Sequence, residues 1–501
     1  MNTSSQSKGR KFLPPVILLA MSAFVFLPSV TNFFVSDDFT LIELSRVHSL
    51  SQLATFFTTA GFGNYYRPAV RLLFALNFAL FSLHPLGYHF VNIGLHGLNA
   101  ILVYYLARRL VADIAPALLS GLFFCVHFIH AEAVFWISGV TGLLATFFYL
   151  LSVLLFVEHL RRWPAGWLSL TLSSFCFLLA LLSKEMAVSL PLLLFVLALY
   201  LGFRQSGRSW RSLAWRLSPY GALLLLAGLA RASVQARMPE LVAGGGTFTL
   251  SPLVMMRNLA YYVVNLIVPL RAFFDFLSYE KYSGLTLLFQ RQAALLLIPL
   301  VILAGLFIWG FGWLFGKGSR LCKIGLLWVL VTLIPFLLFR DVGQRFAYLP
   351  SAGFCLVLAD LFRPRGVWST WRRKPLLILI ILTSLLALVE RNIWWKQAGH
   401  LSEAVLSDIK GFCPQIGRAE QLHVVGIPPR LHGAYIFNNG LGSAINLVCG
   451  EGKRVVSQHA DLSLLEDEDL APGNLVLVYR EGEIVSWSPP ENVPSGQGGD
   501  L

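Results

Sequence analysis

Charged residues are scarce in this sequence: Asp, Glu, Lys and Arg make up 13% of its 501 residues. A soluble domain carries about 25%, so the composition excludes an ordinary soluble globular protein. In their place, 56% of the residues are hydrophobic, and many apolar runs approach the roughly 20 residues that cross a bilayer. The sequence therefore predicts a polytopic, all-α membrane protein.

Cysteine is also scarce, with six residues, and no Cys/His spacing resembles a zinc site. Four of the six lie in or beside apolar runs: Cys125, Cys176, Cys322 and Cys355. The other two, Cys413 and Cys449, share the C-terminal region, where a disulfide is permitted. Because two cysteines of one domain need not come within bonding distance, a bridge and two free thiols both stay open.

The net charge is +13, and its distribution favours membrane orientation over nucleic-acid binding. Basic residues cluster in every second connection between apolar runs, as the positive-inside rule predicts for cytoplasmic loops. The clusters lie at 8–11, 108–109, 161–162, 204–216, 317–323 and 363–374. The first apolar stretch, 12–34, is longer than a signal-peptide core, so we interpret it as a retained helix after a cytoplasmic N-terminus.

About eleven spans fit this orientation, and the odd number places the C-terminus outside the cytoplasm. They lie near 12–34, 87–107, 113–130, 139–157, 165–182, 187–203, 217–234, 292–315, 324–339, 347–362 and 375–390. Residues 69–82 are apolar but too short to span, which predicts an interfacial or re-entrant helix. Residues 253–269 are similar. A span there would move the later basic clusters outside, so we interpret them as non-spanning.

The composition changes near residue 401, where the chain becomes polar. Short β-rich runs follow at 422–425, 434–437 and 475–479, and the last forms a predicted hairpin with 484–487. We predict a transmembrane domain over 1–400, a small extracytoplasmic α/β domain over 401–490 and a disordered tail over 491–501.

An adjacent acidic pair, Asp37-Asp38, follows the first apolar stretch. Carboxylates are costly near hydrocarbon, so the pair is a candidate functional site. The pair also suits a helix start, with Ser36 as N-cap and the acids against the positive end of the helix dipole. Both interpretations are compatible with these residues alone.

Further charged residues fall on the predicted outward turns. His130 and Glu132 lie at one turn, and Lys184 and Glu185 at another. The structural alternatives are a hydrogen-bonded histidine within the bundle for His130 and a local ion pair for Lys184 with Glu185. An unpaired Glu132 at the membrane edge would be costly, which favours a partner or a function.

Arg67 and Arg345 lie on the side that the positive-inside rule leaves poor in basic residues. A phosphate is a fitting partner, because a guanidinium can hold its oxygens bidentately. Snorkelling to the interface is the alternative for each. Together, the carboxylates and arginines suit a reaction with a lipid phosphate as leaving group and a carboxylate as base for an incoming hydroxyl.

Several motifs resemble those of a known family. The acidic pair after the first helix is similar to that of polytopic GT-C glycosyltransferases, which use polyprenyl-phosphate sugars. Five further motifs are Tyr66-Arg67-Pro68, Gly87 to His96, His130-Ala131-Glu132-Ala133-Val134, Ser183 to Val188 and Arg345 to Ser351. They resemble motifs of the protein O-mannosyltransferases that carry tetratricopeptide repeats and of their bacterial relatives, and the likeness covers about residues 30–360.

The resemblance implies roles for named residues. Asp38 or Asp37 would be the catalytic base or position the acceptor, and Glu132 would be the second acidic group. Donor and lipid-phosphate binding would fall to Arg345, Arg67, Lys184, Glu185 and His130. A metal cofactor is unknown. If a divalent ion such as Mg²⁺ or Mn²⁺ is present, its expected ligands are Asp37, Asp38 and Glu132.

The sequence departs from the family in two places. The tetratricopeptide repeats are replaced by the predicted C-terminal domain, so the acceptor cannot be carried over. Where relatives continue with an Arg and an acid after Ser-Gly, this chain reads Ser138-Gly139-Val140-Thr141-Gly142, which weakens a metal or second-acid role at that turn.

The leading hypothesis is an integral-membrane glycosyltransferase that moves a sugar from a polyprenyl-phosphate donor to an extracytoplasmic hydroxyl, of a protein or an envelope glycan or lipid. GT-C enzymes generally act by inverting, direct displacement. The alternatives are a transporter or flippase for a lipid-linked sugar and a non-catalytic envelope assembly factor. A transporter would place ionisable residues near the midplane, whereas here they lie at span ends. The expected partners are membrane lipids, the donor and the acceptor, and the expected location is the plasma (bacterial inner) membrane.

Overall fold

A computed structural model describes most of the chain: residues 3–59, 61, 65–111, 113–203, 209–236, 249–269, 305, 309–310, 312–339, 342–363, 367–450 and 455–488. Most of the predicted span 292–315 and all of the predicted tail 491–501 lie outside these residues.

The chain divides into two compact units. The helical unit comprises Met1–Thr31 and Leu44–Ile393, and the C-terminal unit comprises Asn32–Glu43 and Trp394–Leu501. The division therefore falls seven residues before the predicted boundary at 400. It also assigns the segment that carries the acidic pair to the C-terminal unit.

The helical unit contains helices over most of the predicted spans. Their bounds are α1 Thr3–Phe26, α3 Pro68–Phe81, α4 Pro85–Leu110, α5 Ile114–Val126, α6 Ala131–Phe135, α7 Val140–Arg161, α8 Trp167–Leu181, α9 Leu190–Tyr200, α10 Trp210–Ala236, α11 Pro252–Ile267, α12 Arg320–Leu337 and α13 Tyr348–Leu361. Two helices cross the boundary between the units: α2, Asp37–Ser45, begins in the C-terminal unit and ends in the helical unit, and α14, Val367–Gly411, begins in the helical unit and ends in the C-terminal unit.

In the part of the chain that the structure describes, six helices are long and apolar enough to cross a membrane, or seven if the pair bent by 46° near His127 counts as one span. The chain is therefore a multi-pass membrane protein. The helices at the predicted spans 165–182, 187–203 and 347–362 have 15, 11 and 14 residues. Because these are shorter than the roughly 20 residues of a full crossing, the structure does not establish the predicted number of eleven.

Local sequence signals set several helix starts. Pro68 and Pro85 begin α3 and α4, at the position where the missing proline N–H costs nothing. Asp113 caps α5 by accepting a hydrogen bond from the Ala115 N–H at 3.1 Å. Ser319 caps α12 in the same way, through the Leu321 N–H at 3.1 Å.

Close contact between small residues joins α12 to α13. A Cβ on Gly325 would lie 2.5 Å from the Gly353 carbonyl oxygen, and a Cβ on Gly353 would lie 2.6 Å from the Gly325 oxygen. Small residues at a helix crossing allow backbones to approach, which is the usual route to tight packing in membranes.

The C-terminal unit is a small α/β domain, as predicted. Its further elements are α15 Cys413–Ile416, β1 Gln421–Val425, β2 Arg430–Leu431, β3 Ala434–Tyr435, α16 Leu441–Cys449, β4 Val455–His459, β5 Leu475–Arg480 and β6 Glu483–Trp487. One sheet has the order β4-β1-β5-β6, with β1 parallel to β4 and β5, and β6 antiparallel to β5. The predicted hairpin is therefore β5-β6, and the open disulfide question is settled by a Cys413–Cys449 bridge with Cα atoms 5.2 Å apart.

Residues 32–43 are held by the rest of the C-terminal unit. The Ser36 N–H donates to the Ile436 carbonyl at 2.7 Å, and Asn446 donates to Glu43 at 2.9 Å. Gly440 packs so closely on Ser36 that a Cβ there would lie 2.2 Å from the Ser36 oxygen.

Candidate functional site

Three short turns between helices carry four of the charged side chains that the sequence singles out: Glu132, Lys184, Glu185 and Arg345. Glu132 lies on α6, which has only five residues and is flanked by single 3₁₀ turns. Lys184 and Glu185 lie at the start of the 3₁₀ turn Glu185–Ser189, and Arg345 lies on the turn Gln344–Ala347. All three were predicted as outward-facing turns.

Glu132 and Arg345 form an ion pair between two of these turns. The carboxylate also accepts a hydrogen bond from the Arg345 backbone N–H at 3.0 Å. The Glu132 side chain is 6% exposed and that of Arg345 is 24% exposed, and the guanidinium lies 4.6 Å from the Phe346 ring and 5.5 Å from the Trp136 ring. The structural expectation that a buried Glu132 needs a partner is thereby met.

A second carboxylate, Glu185, binds two arginines. Arg67 donates to it bidentately, with Nε–Oε1 at 3.2 Å and Nη2–Oε2 at 2.8 Å. Arg231 near the end of α10 lies 3.6 Å from Oε1. The Arg67 guanidinium also lies 4.0 Å from the Tyr65 ring, so this arginine is fixed by both its polar and its apolar contacts.

Lys184 is buried between the two ion pairs, with 5% of its surface exposed. Burial, together with the nearby guanidiniums of Arg67 and Arg345, lowers its pKa to about 7 against the opposing effect of the two glutamates. The ammonium lies 5.4 Å from the Phe346 ring. The predicted local ion pair with Glu185 is therefore replaced by the Arg67 and Arg231 contacts of that carboxylate.

We call these six residues the charged cluster: Arg67, Glu132, Lys184, Glu185, Arg231 and Arg345. It holds four basic side chains against two acidic ones. With Lys184 protonated the cluster carries two positive charges in excess, so it is suited to binding an anion.

The motif Gly87 to His96 holds the Glu132 turn in place. The Asn92 side chain donates to the carbonyls of Trp136 at 3.0 Å and Ile137 at 3.3 Å. Gly139 then packs against α6, since a Cβ there would lie 2.3 Å from the Ala133 oxygen. These contacts satisfy backbone groups that a broken helix leaves unpaired, which matters most in an apolar environment.

His130 lies in a different environment from the charged cluster. Its Nε2 lies 2.7 Å from the Ser351 hydroxyl, and its ring lies 4.5 Å from Phe124 and 4.6 Å from Tyr348. The fully buried side chain thus packs in a polar-aromatic group. The structure therefore favours the bundle-histidine alternative for His130, and its role in donor binding stays a prediction.

The acidic pair begins α2, as the helix-start interpretation predicts. Asp38 is 1% exposed, and its carboxylate accepts from the Val35 N–H at 3.0 Å. Asp37 accepts from the Asn439 amide at 3.2 Å. Ser36 is not an ordinary N-cap, because its φ is 50° whereas a capping residue has an extended backbone.

The sequence interpretation missed one member of the charged cluster, Arg231, and the contacts of Arg345 with the Trp136 and Phe346 rings. Arg231 carried a usable signal, since it lies near the predicted outer end of the span 217–234, where basic residues are rare. Phe346 stands in the motif Arg345 to Ser351, but nothing in the sequence indicates that either ring contacts the guanidinium.

Comparison with curated proteins identifies protein O-mannosyl-transferases as relatives, although no family model matches the chain. One from Caenorhabditis elegans is 27% identical over 415 residues, which is 78% of this chain and 57% of that protein. Human TMTC3 is 25% identical over 72% of this chain and 44% of its own length. Mouse TMTC2 is 35% identical over 142 residues, 27% of this chain and 16% of that protein. The chain thus spans about half the length of the relatives that it matches most extensively.

Solved structures show the same architecture. ArnT from Cupriavidus metallidurans in the apo state has a TM-score of 0.52 at 14% identity, covering 94% of this chain and 93% of ArnT. An oligosaccharyltransferase from Archaeoglobus fulgidus has a TM-score of 0.50 at 13% identity, covering 92% of this chain and 66% of that one. At such identities the likeness shows the fold alone. The resemblance drawn from the motifs is therefore confirmed: the chain is a relative of the protein O-mannosyl-transferases and has the fold of the GT-C membrane glycosyltransferases.

Proposed function

We propose that the chain is an integral-membrane glycosyltransferase that transfers a sugar from a polyprenyl-phosphate donor to the hydroxyl of an extracytoplasmic acceptor. The observation that carries the proposal is the charged cluster, whose excess of positive charge arises where the three turns meet Arg67, at the start of α3, and Arg231, on α10. The relatives of the chain are named as transferases, and one structure with the same fold is ArnT bound to undecaprenyl phosphate.

The reaction that we propose is a direct displacement. The acceptor oxygen forms a bond to the anomeric carbon while the bond from that carbon to the phosphate oxygen breaks. The acceptor proton passes to a carboxylate, and polyprenyl phosphate leaves with an additional negative charge. Arginines fixed near that oxygen stabilise the developing charge, and electrostatic stabilisation of this kind makes the greatest contribution to the rate of many enzymes.

We assign the phosphate to Arg345, Arg67 and Lys184. Each arginine already holds a carboxylate, so its guanidinium is oriented before the donor arrives and little side-chain entropy is lost on binding. In this proposal Glu132 and Glu185 position the arginines. For Glu132 this differs from the role that the resemblance implies, which is that of a second acidic group in catalysis.

We assign the proton to Asp38, with Asp37 as the alternative base or acceptor-positioning group. Asp38 is buried and held by the Val35 N–H, so its carboxylate has a fixed orientation. General-base help of this kind contributes about 10²–10⁴-fold to the rate. A Mg²⁺ or Mn²⁺ ion on Asp37, Asp38 and Glu132 stays a prediction, and no step of the proposed reaction depends on it.

An apolar cavity of about 200 Å³ in the helical unit supports a prenyl-chain ligand. It lies among α11, α12 and α13, with Leu266, Val329 and Phe354 in its wall. The cavity also lies near the helix break that precedes Glu132. The carbonyl oxygen of Leu266, in the cavity wall, lies 3.1 Å from Nε2 of His127 at that break. A lined cavity of this kind suits part of a branched hydrocarbon.

We further propose a plasma-membrane location, bacterial inner membrane if the chain is bacterial, with about eleven spans, a cytoplasmic N-terminus and an extracytoplasmic C-terminal domain. The alternating basic clusters support this topology. The Cys413–Cys449 disulfide supports the outer location of the domain, because such bridges persist in oxidising compartments.

The test is sugar transfer from a polyprenyl-phosphate donor by membranes that contain the full chain. We expect Arg345→Gln to lower transfer at least about 10²-fold and Asp38→Asn to lower it about 10²–10⁴-fold. Arg109→Gln is the matched control, because Arg109 also pairs with a glutamate, Glu158, but lies outside the charged cluster and is 43% exposed.

Two results would contradict the assignments. Full transfer by both Asp38→Asn and Asp37→Asn would remove the acidic pair from the chemistry. Movement of the donor across the membrane without transfer, abolished by Arg345→Gln, would instead indicate the transporter alternative.

A further inference from the structure

We propose that the C-terminal unit binds a zinc ion through His423, His459 and Asp469. This site is independent of the proposed transferase chemistry, because every residue in it belongs to the C-terminal unit. The three ligand atoms lie within 4.8 Å of one another.

The sheet register places both histidines on one face. Val425 lies opposite His459 in the parallel β1-β4 pair. His423 precedes Val425 by two residues, and side chains two apart on a strand share a face. The two imidazoles therefore project from neighbouring strands to the same side of the sheet.

The third ligand comes from the segment that covers this face. Val425, Val476 and Val478 form a small buried core there, and Leu462, Leu465 and Leu470 pack onto it. The segment 460–474, which joins β4 to β5, therefore lies over the same face as the histidines. Asp469 directly precedes Leu470, so its carboxylate is brought to the edge of this core.

Two of the three separations between ligand atoms are close to those in a tetrahedral site. His423 Nδ1 lies 3.2 Å from His459 Nε2 and 3.5 Å from Asp469 Oδ1. With metal–ligand bonds of about 2.0–2.2 Å, two ligands of a tetrahedral zinc lie roughly 3.3–3.6 Å apart. The third pair, His459 and Asp469, lies within 4.8 Å.

Hydrogen bonding within the group can use only one of the two contacts of His423 Nδ1. This nitrogen faces two partners, yet a ring nitrogen carries at most one proton. If it donates to one partner, no proton remains for the other. A cation would serve all three atoms together.

The surroundings orient one of the ligands. Asp469 is held by the Glu466 N–H, which donates to its other oxygen, Oδ2, at 3.0 Å.

The donor set favours zinc. Two imidazoles and one carboxylate are ligands that Zn²⁺ accepts at tetrahedral geometry, whereas Mg²⁺ and Ca²⁺ prefer oxygen ligands. Three protein ligands leave a fourth position for water. The ion would join β1, β4 and the segment 460–474, and so fix that segment to the sheet.

The test uses the full chain in detergent, purified without a histidine tag, loaded with Zn²⁺ and dialysed against metal-free buffer. We expect about one zinc per chain by elemental mass spectrometry, and a visible absorption band typical of four-coordinate Co²⁺ when cobalt replaces it. His459→Gln and Asp469→Asn should each weaken zinc binding at least about tenfold.

His400→Gln is the matched control, since His400 lies in the same unit with its side chain 61% exposed, and it should bind zinc as the parent does. His459 ends its strand and is partly exposed, so His459→Gln should fold even if a substitution of the buried His423 does not. A parent chain that retains no zinc and gives no cobalt band would overturn the proposal, as would unchanged binding by His459→Gln.

Discussion

Lys184 determines the charge of the cluster near neutral pH. Its pKa is lowered to about 7 by burial and by Arg67 and Arg345, so the ammonium is present below this pH and lost above it. A bound phosphate adds negative charge beside the amine and favours its protonated form. Donor binding should therefore be coupled to the uptake of a proton.

We predict that the affinity for polyprenyl phosphate falls by up to about tenfold per pH unit above about pH 7. Lys184→Arg should abolish this dependence, because a guanidinium remains charged throughout. Lys184→Met should bind weakly at every pH. The measurement is equilibrium binding of the lipid to the purified chain, and an unchanged pH dependence in Lys184→Arg would contradict the prediction.

At the scale of single residues, the sequence identified candidate site residues better than it identified the residues that they contact. Glu132 and Arg345 were singled out separately: Glu132 because an unpaired carboxylate is costly at the membrane edge, and Arg345 because it lies on the side that is poor in basic residues. Their pairing, and that of Arg67 with Glu185, depends on turns far apart in sequence. The zinc ligands escaped notice for the same reason: His423 and His459 are 36 residues apart, and only the parallel register brings them together.

The helices differ from the turns in how well their sequences predict them. Apolar runs gave the positions of most helices, because burial in lipid requires length and hydrophobicity alone. The break between α5 and α6 was not predicted. α5 ends just before His127, whose ring accepts a hydrogen bond from the Ile129 N–H at 3.2 Å. Hydropathy alone does not predict a local hydrogen bond of this kind.

The α12–α13 crossing gives a prediction at the scale of elements. Gly325→Ala should destabilise the helical unit by about 1–3 kcal/mol, because its Cβ would overlap the Gly353 oxygen. Gly228→Ala on α10 is the control, since nothing lies within 4 Å of a Cβ there, and alanine is the better helix former.

Thermal unfolding can be followed by the reaction of buried thiols with a maleimide dye. Cys322 and Cys355 are buried on α12 and α13, so they report on this crossing directly. Equal midpoints for the two variants would show that the helices can separate without cost.

The whole molecule combines a membrane unit with a C-terminal domain that is cross-linked by one disulfide. In Cys413→Ser, Cys449 becomes a free thiol, and the four other cysteines are buried. We predict that a membrane-impermeant maleimide labels this variant on intact spheroplasts. The reason is that the domain lies outside the cytoplasm in the proposed topology.

Arg162→Cys is the control for that topology, because Arg162 lies in a predicted cytoplasmic connection with its side chain 64% exposed. It should react only after the membrane is opened. Labelling of Arg162→Cys but not of Cys413→Ser on intact spheroplasts would reverse the orientation.

At the scale of the whole molecule, composition predicted a C-terminal α/β domain, but it did not predict that residues 32–43 belong to that domain. The sequence of residues 32–43 does not show that they pack with residues hundreds of positions later, since polar side chains such as Asp37 and Glu43 do not identify their distant partners. The bond from the Asn439 N–H to the Ser36 hydroxyl spans 403 residues.

Because of this long separation, the acidic pair is synthesised well before the residues that hold its segment. Asp37 and Asp38 leave the ribosome early, but Ile436 and Asn439, which hold their segment, follow about 400 residues later. At typical elongation rates that interval is roughly 20–80 s. The nascent chain therefore builds its membrane helices while the acidic segment still lacks its native partners, and the proposed base acquires its final environment only when translation is nearly complete.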